Sequence, residues 1–320
     1  GQRRQHSTKT TDRKAAERIL AKLVAEAALR RDGVVDARTA AVADHGRTPL
    51  AKHFAAYVEH CRRTGQSDTN TKQKGEYLDR LADHGRLARL TDLTAEAVER
   101  FMASLKAEGR SARTSNYARQ TALAFCSWCV DTNRLAANPV AKVKPYDESR
   151  DRRRVRRALT DDELARLLDV AGDRGRRAWY LAAALAGLRK GDLKRLRWCD
   201  IDFAQATITI TDGKAKRADV VPLHPQLAEE LRHRHAEAMA TPKAKVFPTT
   251  VTDRTRRLDF LRAGLAREEI VRDEHGDPVM TGKRKPRPQT RIVCEDEEGR
   301  VIDLHAMRTT LGTNLARAGV

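Results

Sequence analysis

The 320-residue chain is short of several features that would mark other classes of protein. Its five cysteines are too few and too scattered for a disulfide framework. Cys126 and Cys129 form a C-x-x-C, but no second ligand pair sits at zinc-finger spacing. Their apolar, helical flanks make them core thiols, and a thiol-reducing compartment fits all five. No apolar run approaches the ~20 residues of a membrane span, and the opening residues lack the pattern of a secretory leader. There is no G-x-x-x-x-G-K-[ST] loop for ATP and no H-E-x-x-H for a catalytic zinc. No internal repeat is visible.

What the chain does have is positive charge. Lys and Arg total 63 against 44 Asp and Glu, a net charge of +19. A charge of this size speaks of partners rather than of fold. An arginine-rich composition inherited from a GC-rich genome would spread the excess, whereas here it is clustered. Residues 142–157 hold eight Lys/Arg and three acids, and residues 1–31 hold nine and three. Residues 283–291 add Lys283, Arg284, Lys285, Arg287 and Arg291 with no acid. Patches spread along the chain fit a protein that wraps duplex DNA rather than an anionic membrane. In the first cluster the candidate DNA contacts are Lys142, Lys144, Arg152, Arg153, Arg154, Arg156 and Arg157.

The length suits two or three domains. Residues 11–31 read as a helix, with Ile19, Leu20, Leu23, Val24 and Ala27 in one apolar stripe. Residues 32–47, with Gly33 and Gly46, read as a linker, so 1–47 form an N-terminal remnant. Residues 48–140 are expected to be a four-helix unit whose last helix begins at Ser111 and is stopped by Asn138-Pro139. Residues 141–157 form a basic interdomain linker. Residues 158–320 form a third unit that opens with the capped helix LTDDELARLLDVA and the apolar helix RAWYLAAALAGL. It continues with a short helix around Asp192–Trp198 and strands Thr207–Thr211 and Asp219–Leu223, joined by a turn at Asp212-Gly213. Helices over 224–239 and 251–267 follow, then a polar insertion or long β-loop over 268–302 and a last helix at Leu304–Ala318. The fold class is mainly α, with a small β-hairpin or sheet in the last unit.

Three segments of that unit place basic groups at defined positions: Ala186–Trp198 (AGLRKGDLKRLRW), Gly213–Leu223 (GKAKRADVVPL) and Leu304–Thr310 (LHAMRTT). In this order they resemble the catalytic boxes of the tyrosine recombinases, the phage-integrase type of site-specific recombinase. That pattern is an arginine after a buried helix with an acid three residues on, a lysine in a β-hairpin turn, and then H-x-x-R. The resemblance covers residues 160–320, and the helical unit before it is similar to the family's core DNA-binding domain. Residues 1–10 and the helix after them are similar to the end of an arm-site-binding domain.

The resemblance implies that Arg189, Lys214, His305 and Arg308 are catalytic and that Asp192 supports them. Lys216 competes with Lys214, but the hairpin length from Gly213 to Pro222 favours Lys214; Lys216 and Arg217 are then DNA contacts. No metal or cofactor is implied. The implied reaction cuts and rejoins duplex DNA through a 3′-phosphotyrosine, in tetramers on synapsed sites, at the nucleoid of a bacterial cytoplasm. The two main units would grip opposite sides of the duplex, with 141–157 as the strap. The family's nucleophile lies downstream of H-x-x-R, yet Tyr57, Tyr77, Tyr117, Tyr146 and Tyr180 all precede Arg189. The chain is therefore expected to be cut short before its tyrosine, and to bind DNA without forming the covalent link.

Elementary chemistry agrees with those roles. A phosphoryl transition state carries negative charge on its nonbridging oxygens, and planar guanidinium groups meet it with paired hydrogen bonds. Residues three apart on a helix, as His305 and Arg308 are, share one face. Histidine exchanges protons near neutral pH, and a lysine at a hairpin tip can reach a leaving 5′-oxygen. Blander readings stand beside these: Arg189 as one more surface arginine, Asp192 as a helix cap, His305 as a satisfied core histidine. Two other classes compete. A DDE-type transposase would use metals on carboxylates, but no acidic triad on strands is evident. A non-enzymatic DNA-binding protein needs the charge and the helices, but not the Arg/Lys/His/Arg set.

Overall fold

The computed structural model describes residues 10–31, 37–172, 175–211, 218–239, 241–282 and 285–319. The chain divides into two units, Gly1–Arg153 and Arg154–Val320.

In the first unit, α1 (Arg13–Arg31) and α2 (Ala37–Gly46) precede four helices: α3 (Leu50–Arg63), α4 (Asp68–Gly85), α5 (Ala95–Ala107) and α6 (Ala112–Asp131). The hydroxyls of Ser67, Thr94 and Ser111 accept the N–H groups of Asn70, Ala97 and Thr114, which satisfies donors left open at the starts of α4, α5 and α6. Leu50, Phe54, Tyr57 and Cys61 of α3 share a buried cluster with Phe125, Cys126 and Cys129 of α6. The Phe125 ring meets Phe54 and Tyr57 edge-on, at 5.0 and 5.5 Å between centroids. Burial pushes the Cys126 thiol up, and likewise that of Cys129, to about 12, as expected of core thiols.

Two expectations for this unit need correction. The stretch read as a linker contains α2, because ARTAAVADHG is rich in alanine and its glycine falls only at the helix end. The last helix stops at Asp131 rather than at Pro139. Asn133 adopts a left-handed conformation there (φ 54°), and the Asn138 side chain folds back on Leu123 O and Ser127 Oγ. Beyond it, Val140 and Val143 are buried in this same core, with Lys142 and Lys144 exposed on either side of Val143.

The second unit is built around α8 (Arg176–Leu185), whose residues Ala178 to Ala184 are all buried. Its run of alanines lets three neighbours approach closely: α7 (Asp161–Ala171), α10 (Pro225–Ala238) and α12 (Leu304–Arg317). α9 (Lys190–Arg195) follows α8 directly and starts two residues before the expected Asp192, because the Asp192 carboxylate reaches back to the Arg189 N–H. Strands β1 (Ile201–Asp202), β2 (Thr207–Thr211) and β3 (Ala218–Pro222) form an antiparallel sheet, with Thr207 opposite Pro222 and Thr211 opposite Ala218. The expected turn at Asp212-Gly213 lies outside the described residues.

α11 (Asp253–Arg262) ends earlier than the expected helix over 251–267, at Gly264, whose φ is +69°. Then β4 (Arg267–Ile270) pairs with β7 (Thr290–Val293), and β5 (Met280–Thr281) with β6 (Arg287–Pro288). The described residues of the polar insertion thus include a set of short strands.

Tyr180 of α8 donates a 2.8 Å hydrogen bond to Asp259 of α11, which is 1% exposed. Arg176 Nε lies 3.2 Å from the same carboxylate, without the alignment of a hydrogen bond. Asp259→Ala would strand both groups and should destabilise this unit by about 3 kcal/mol, read from urea unfolding. Tyr180→Phe should cost about 1 kcal/mol in the same measurement.

Candidate active site

The junction between α8 and α9 sets the first functional group. Gly187 has φ +60°, a left-handed conformation, and a Cβ there would lie 2.8 Å from Leu311 Cδ2 of α12. Glycine therefore lets the chain turn sharply while α12 packs close. Leu188 is buried beside it, and Arg189 emerges exposed at the start of α9. Asp192 is buried beneath, accepting from the Arg189 N–H at 3.2 Å and from Arg195 Nη2 at 2.8 Å. These contacts make Asp192 the cap of α9.

The second group comes from α12. Asp303 caps this helix, accepting from the Ala306 N–H at 2.9 Å. Ala306, Met307 and Thr310 form its buried side, and the Thr310 hydroxyl accepts from the Leu159 N–H. His305 is exposed, unlike a core histidine, and Arg308 is half-buried. The Arg308 guanidinium donates to the Gly187 carbonyl, tying α12 to the turn that carries Arg189. Burial, and after it the charge of Arg189, hold the Arg308 pKa below the ordinary arginine range, while Asp192 acts the other way.

Arg189, His305 and Arg308 line one cleft of about 960 Å³. Its walls hold eight Lys/Arg and four acids. Three of those acids are engaged: Lys190 reaches Asp253 at 3.1 Å, Arg267 and Arg291 share Glu269, and Arg156 holds Asp303 at 2.9 Å. The cleft therefore presents a surplus of positive charge. Among the described residues no three His, Cys, Asp or Glu side chains gather as metal ligands would.

The other candidates fall into three sets. Lys214, Lys216 and Arg217 lie outside the described residues. Arg154 lines the cleft, and Arg152, Lys142 and Lys144 are exposed. Arg153, Arg156 and Arg157 are engaged within the protein. Arg153 pairs with Asp151 at 2.7 Å and donates to the Gly109 and Arg110 carbonyls. Arg157 bridges Glu163 at 2.7 Å and Asp296 at 2.9 Å, and its side chain is only 17% exposed. Sequence reasoning passed over Arg256, Arg257 and Arg267 and read Arg291 only as part of a basic patch; all four also line the cleft. Only the arginine density of α11 (DRTRRLDFLR) hinted at the first two. None of the five tyrosines lines the cleft.

Comparison with known proteins bears on this geometry. The phage integrase family model matches residues 157–320, just over half of the chain. The chain belongs to the phage integrase family. It is 30% identical over 185 residues to the tyrosine recombinase XerA of Thermococcus kodakarensis, covering 57% of this chain and 60% of that protein. With the putative defective protein IntQ of Escherichia coli it shares 32% identity over 114 residues, covering 36% of this chain and 28% of IntQ. The matched region thus spans less than two thirds of either relative. Its fold is that of a lambda integrase dimer bound to a COC′ core site, with a TM-score of 0.61 at 18% identity over 95% of this chain and 81% of that one. It also matches the Tn1549 transposon integrase in complex with transposon right end DNA, with a TM-score of 0.59 at 16% identity over 85% and 88%. This phage-integrase fold is mainly helical with small antiparallel sheets, as expected from the sequence.

The turn at Gly187 generates a test. Gly187→Ala should destabilise the second unit by about 1–2 kcal/mol, from the left-handed backbone alone. Adding Leu311→Ala removes the atom that the new Cβ meets. The double variant should then lose less than the sum of the single losses in urea unfolding.

Proposed function

We propose that this protein is a site-specific DNA recombinase that cleaves and rejoins duplex DNA through a 3′-phosphotyrosine intermediate. The observation that carries the reading is the gathering of Arg189, His305 and Arg308 in one cleft with excess positive charge. A scissile phosphate bound there would meet two guanidinium groups, each able to donate paired hydrogen bonds to nonbridging oxygens. As the tyrosine oxygen attacks phosphorus, charge grows on those oxygens, and the arginines stabilise the transition state more than the ground state. His305, exposed at the cleft, exchanges protons at the reacting oxygens. Lys214 protonates the leaving 5′-oxygen, which breaks the P–O bond and leaves the 3′-phosphate on tyrosine. Asp192 is a positioning residue that holds the start of α9 and moderates the local positive charge.

The assembly follows the same reading. Residues 48–140 serve as the core DNA-binding domain, and exposed Lys142, Lys144 and Arg152 contact phosphates. Similar proteins have been captured on DNA, including a lambda integrase tetramer bound to a Holliday junction; a tetramer on synapsed sites is proposed here. No described helix is long and apolar enough to cross a membrane. None of the five tyrosines of this chain is proposed as the nucleophile, since none lines the cleft.

Two measurements test the proposal. With about six phosphate contacts, duplex affinity should fall roughly a thousandfold between 50 and 200 mM salt; a flat response counts against it. In a protein with the nucleophilic tyrosine, Arg308→Ala should abolish covalent trapping on a nicked suicide substrate, while duplex affinity falls less than about tenfold. Equal loss of both would point to a plain DNA-binding role.

A further inference from the structure

The insertion between α11 and α12 is a forked arm. Three backbone hydrogen bonds close a ring at its root: Val271 N–H donates to Gln289 O, Gln289 N–H to Val279 O, and Val279 N–H to Val271 O, at 2.7 to 2.9 Å. Two hairpins leave this ring and differ in charge. The first turns at Asp273–Asp277 and is closed on itself. The Asp273 carboxylate accepts from the His275 and Asp277 N–H groups, and Arg272 donates to Gly276 O. The second is β5 and β6; a Cβ at Gly282 would sit 2.8 Å from the Lys285 carbonyl oxygen.

From Pro278 to Cys294 the sequence holds five Lys/Arg and no acid. Among the described residues the side chains of Lys285 and Arg287 make no ion pair or hydrogen bond, and both are exposed. Alternate residues of an extended strand share a face, so Arg287, Gln289 and Arg291 point the same way along β6 and β7. Arg291 lines the cleft. Arg291, Arg287 and Lys285 thus lead along the chain from the cleft into the second hairpin.

We propose that the β5–β6 hairpin is a duplex-gripping arm, on which Lys285 and Arg287 bind backbone phosphates beyond the one held in the cleft. This rests on the recombinase reading and adds a separate DNA contact to it. A polyanion is the occupant that the charge selects. The distance between Arg287 and Arg291, four residues at ~3.3 Å each, spans about four phosphate intervals along the axis of one DNA strand.

The test compares the unmodified chain with Lys285→Gln/Arg287→Gln on a linear duplex, with thermal melts to show equal folding. The slope of log affinity against log salt should fall by roughly 1.8, about 0.9 for each lost phosphate contact. The hydroxyl-radical footprint should shorten at one edge. An unchanged slope and footprint, beside a steep slope for the unmodified chain, overturn the arm's role and leave the reading of the cleft standing. A flat slope for the unmodified chain overturns both. Self-association that the substitutions abolish, with an unchanged DNA slope, would give the hairpin to a second copy of the chain and overturn the proposal.

Discussion

The contact on which the second unit depends is the one between the Arg308 guanidinium and the Gly187 carbonyl. It joins two segments that are distant in sequence, and it does so where two positive charges come close. Like charges in a partly buried site repel, so the arrangement has to be held by something else. Apolar packing holds it: α8 is buried along its length, and α12 packs against it through Ala306, Met307 and Thr310. Only a glycine at 187 lets the two helices close to this distance while the chain turns out to Arg189. The charges are thus positioned by a core that carries none of them.

A second layer of ion pairs fixes the mouth of the cleft. Val301 donates its N–H to Val155 O, bringing the 154–157 segment beside the start of α12. Arg156 then binds the capping Asp303, and Arg157 bridges Glu163 and Asp296. Arg157 and the Thr160 N–H, acting on Glu163, hold that carboxyl below its usual range. Such half-buried, shared pairs differ from isolated surface bridges, which contribute little. Net charge therefore overstates the surface left for DNA, since several arginines in the most basic stretch are occupied within the fold. Lys142, Lys144 and Arg152 stay exposed in the same stretch, and Arg154 faces the cleft.

What could be read from sequence follows the same division. α7, α8 and α12 were legible because their apolar residues recur at helical spacing and their caps are local. Arg189, His305 and Arg308 were legible because each is tied to such an element by a few neighbouring positions. The forked arm was not, because its root is a ring of backbone hydrogen bonds between residues 271, 279 and 289 that leaves no period in the side chains. The cleft wall that it supplies was lost with it: Arg267 was passed over, and Arg291 was read only as part of a basic patch. α2 was missed because glycine was weighed as a breaker when Gly46 is a helix end.

The wall contributed by α11 adds a further half-buried cation to the cleft. Arg256 packs its guanidinium over Phe260 at 5.2 Å, and its nearest carboxylate, Asp253, is 4.0 Å away and already held by Lys190. Its Nη1 is buried with no hydrogen-bond partner among the described residues. An unsatisfied buried donor costs about 1–3 kcal/mol, and more when charged. That cost falls on the same cleft in which Arg308 already bears both burial and the field of Arg189. A fold under selection for stability alone would pair or remove such groups, as it does with Arg153, Arg156 and Arg157. Arg256 and Arg308 instead share one cleft with the exposed His305. Under the proposed function, a scissile phosphate in the cleft would offset the repulsion between Arg189 and Arg308.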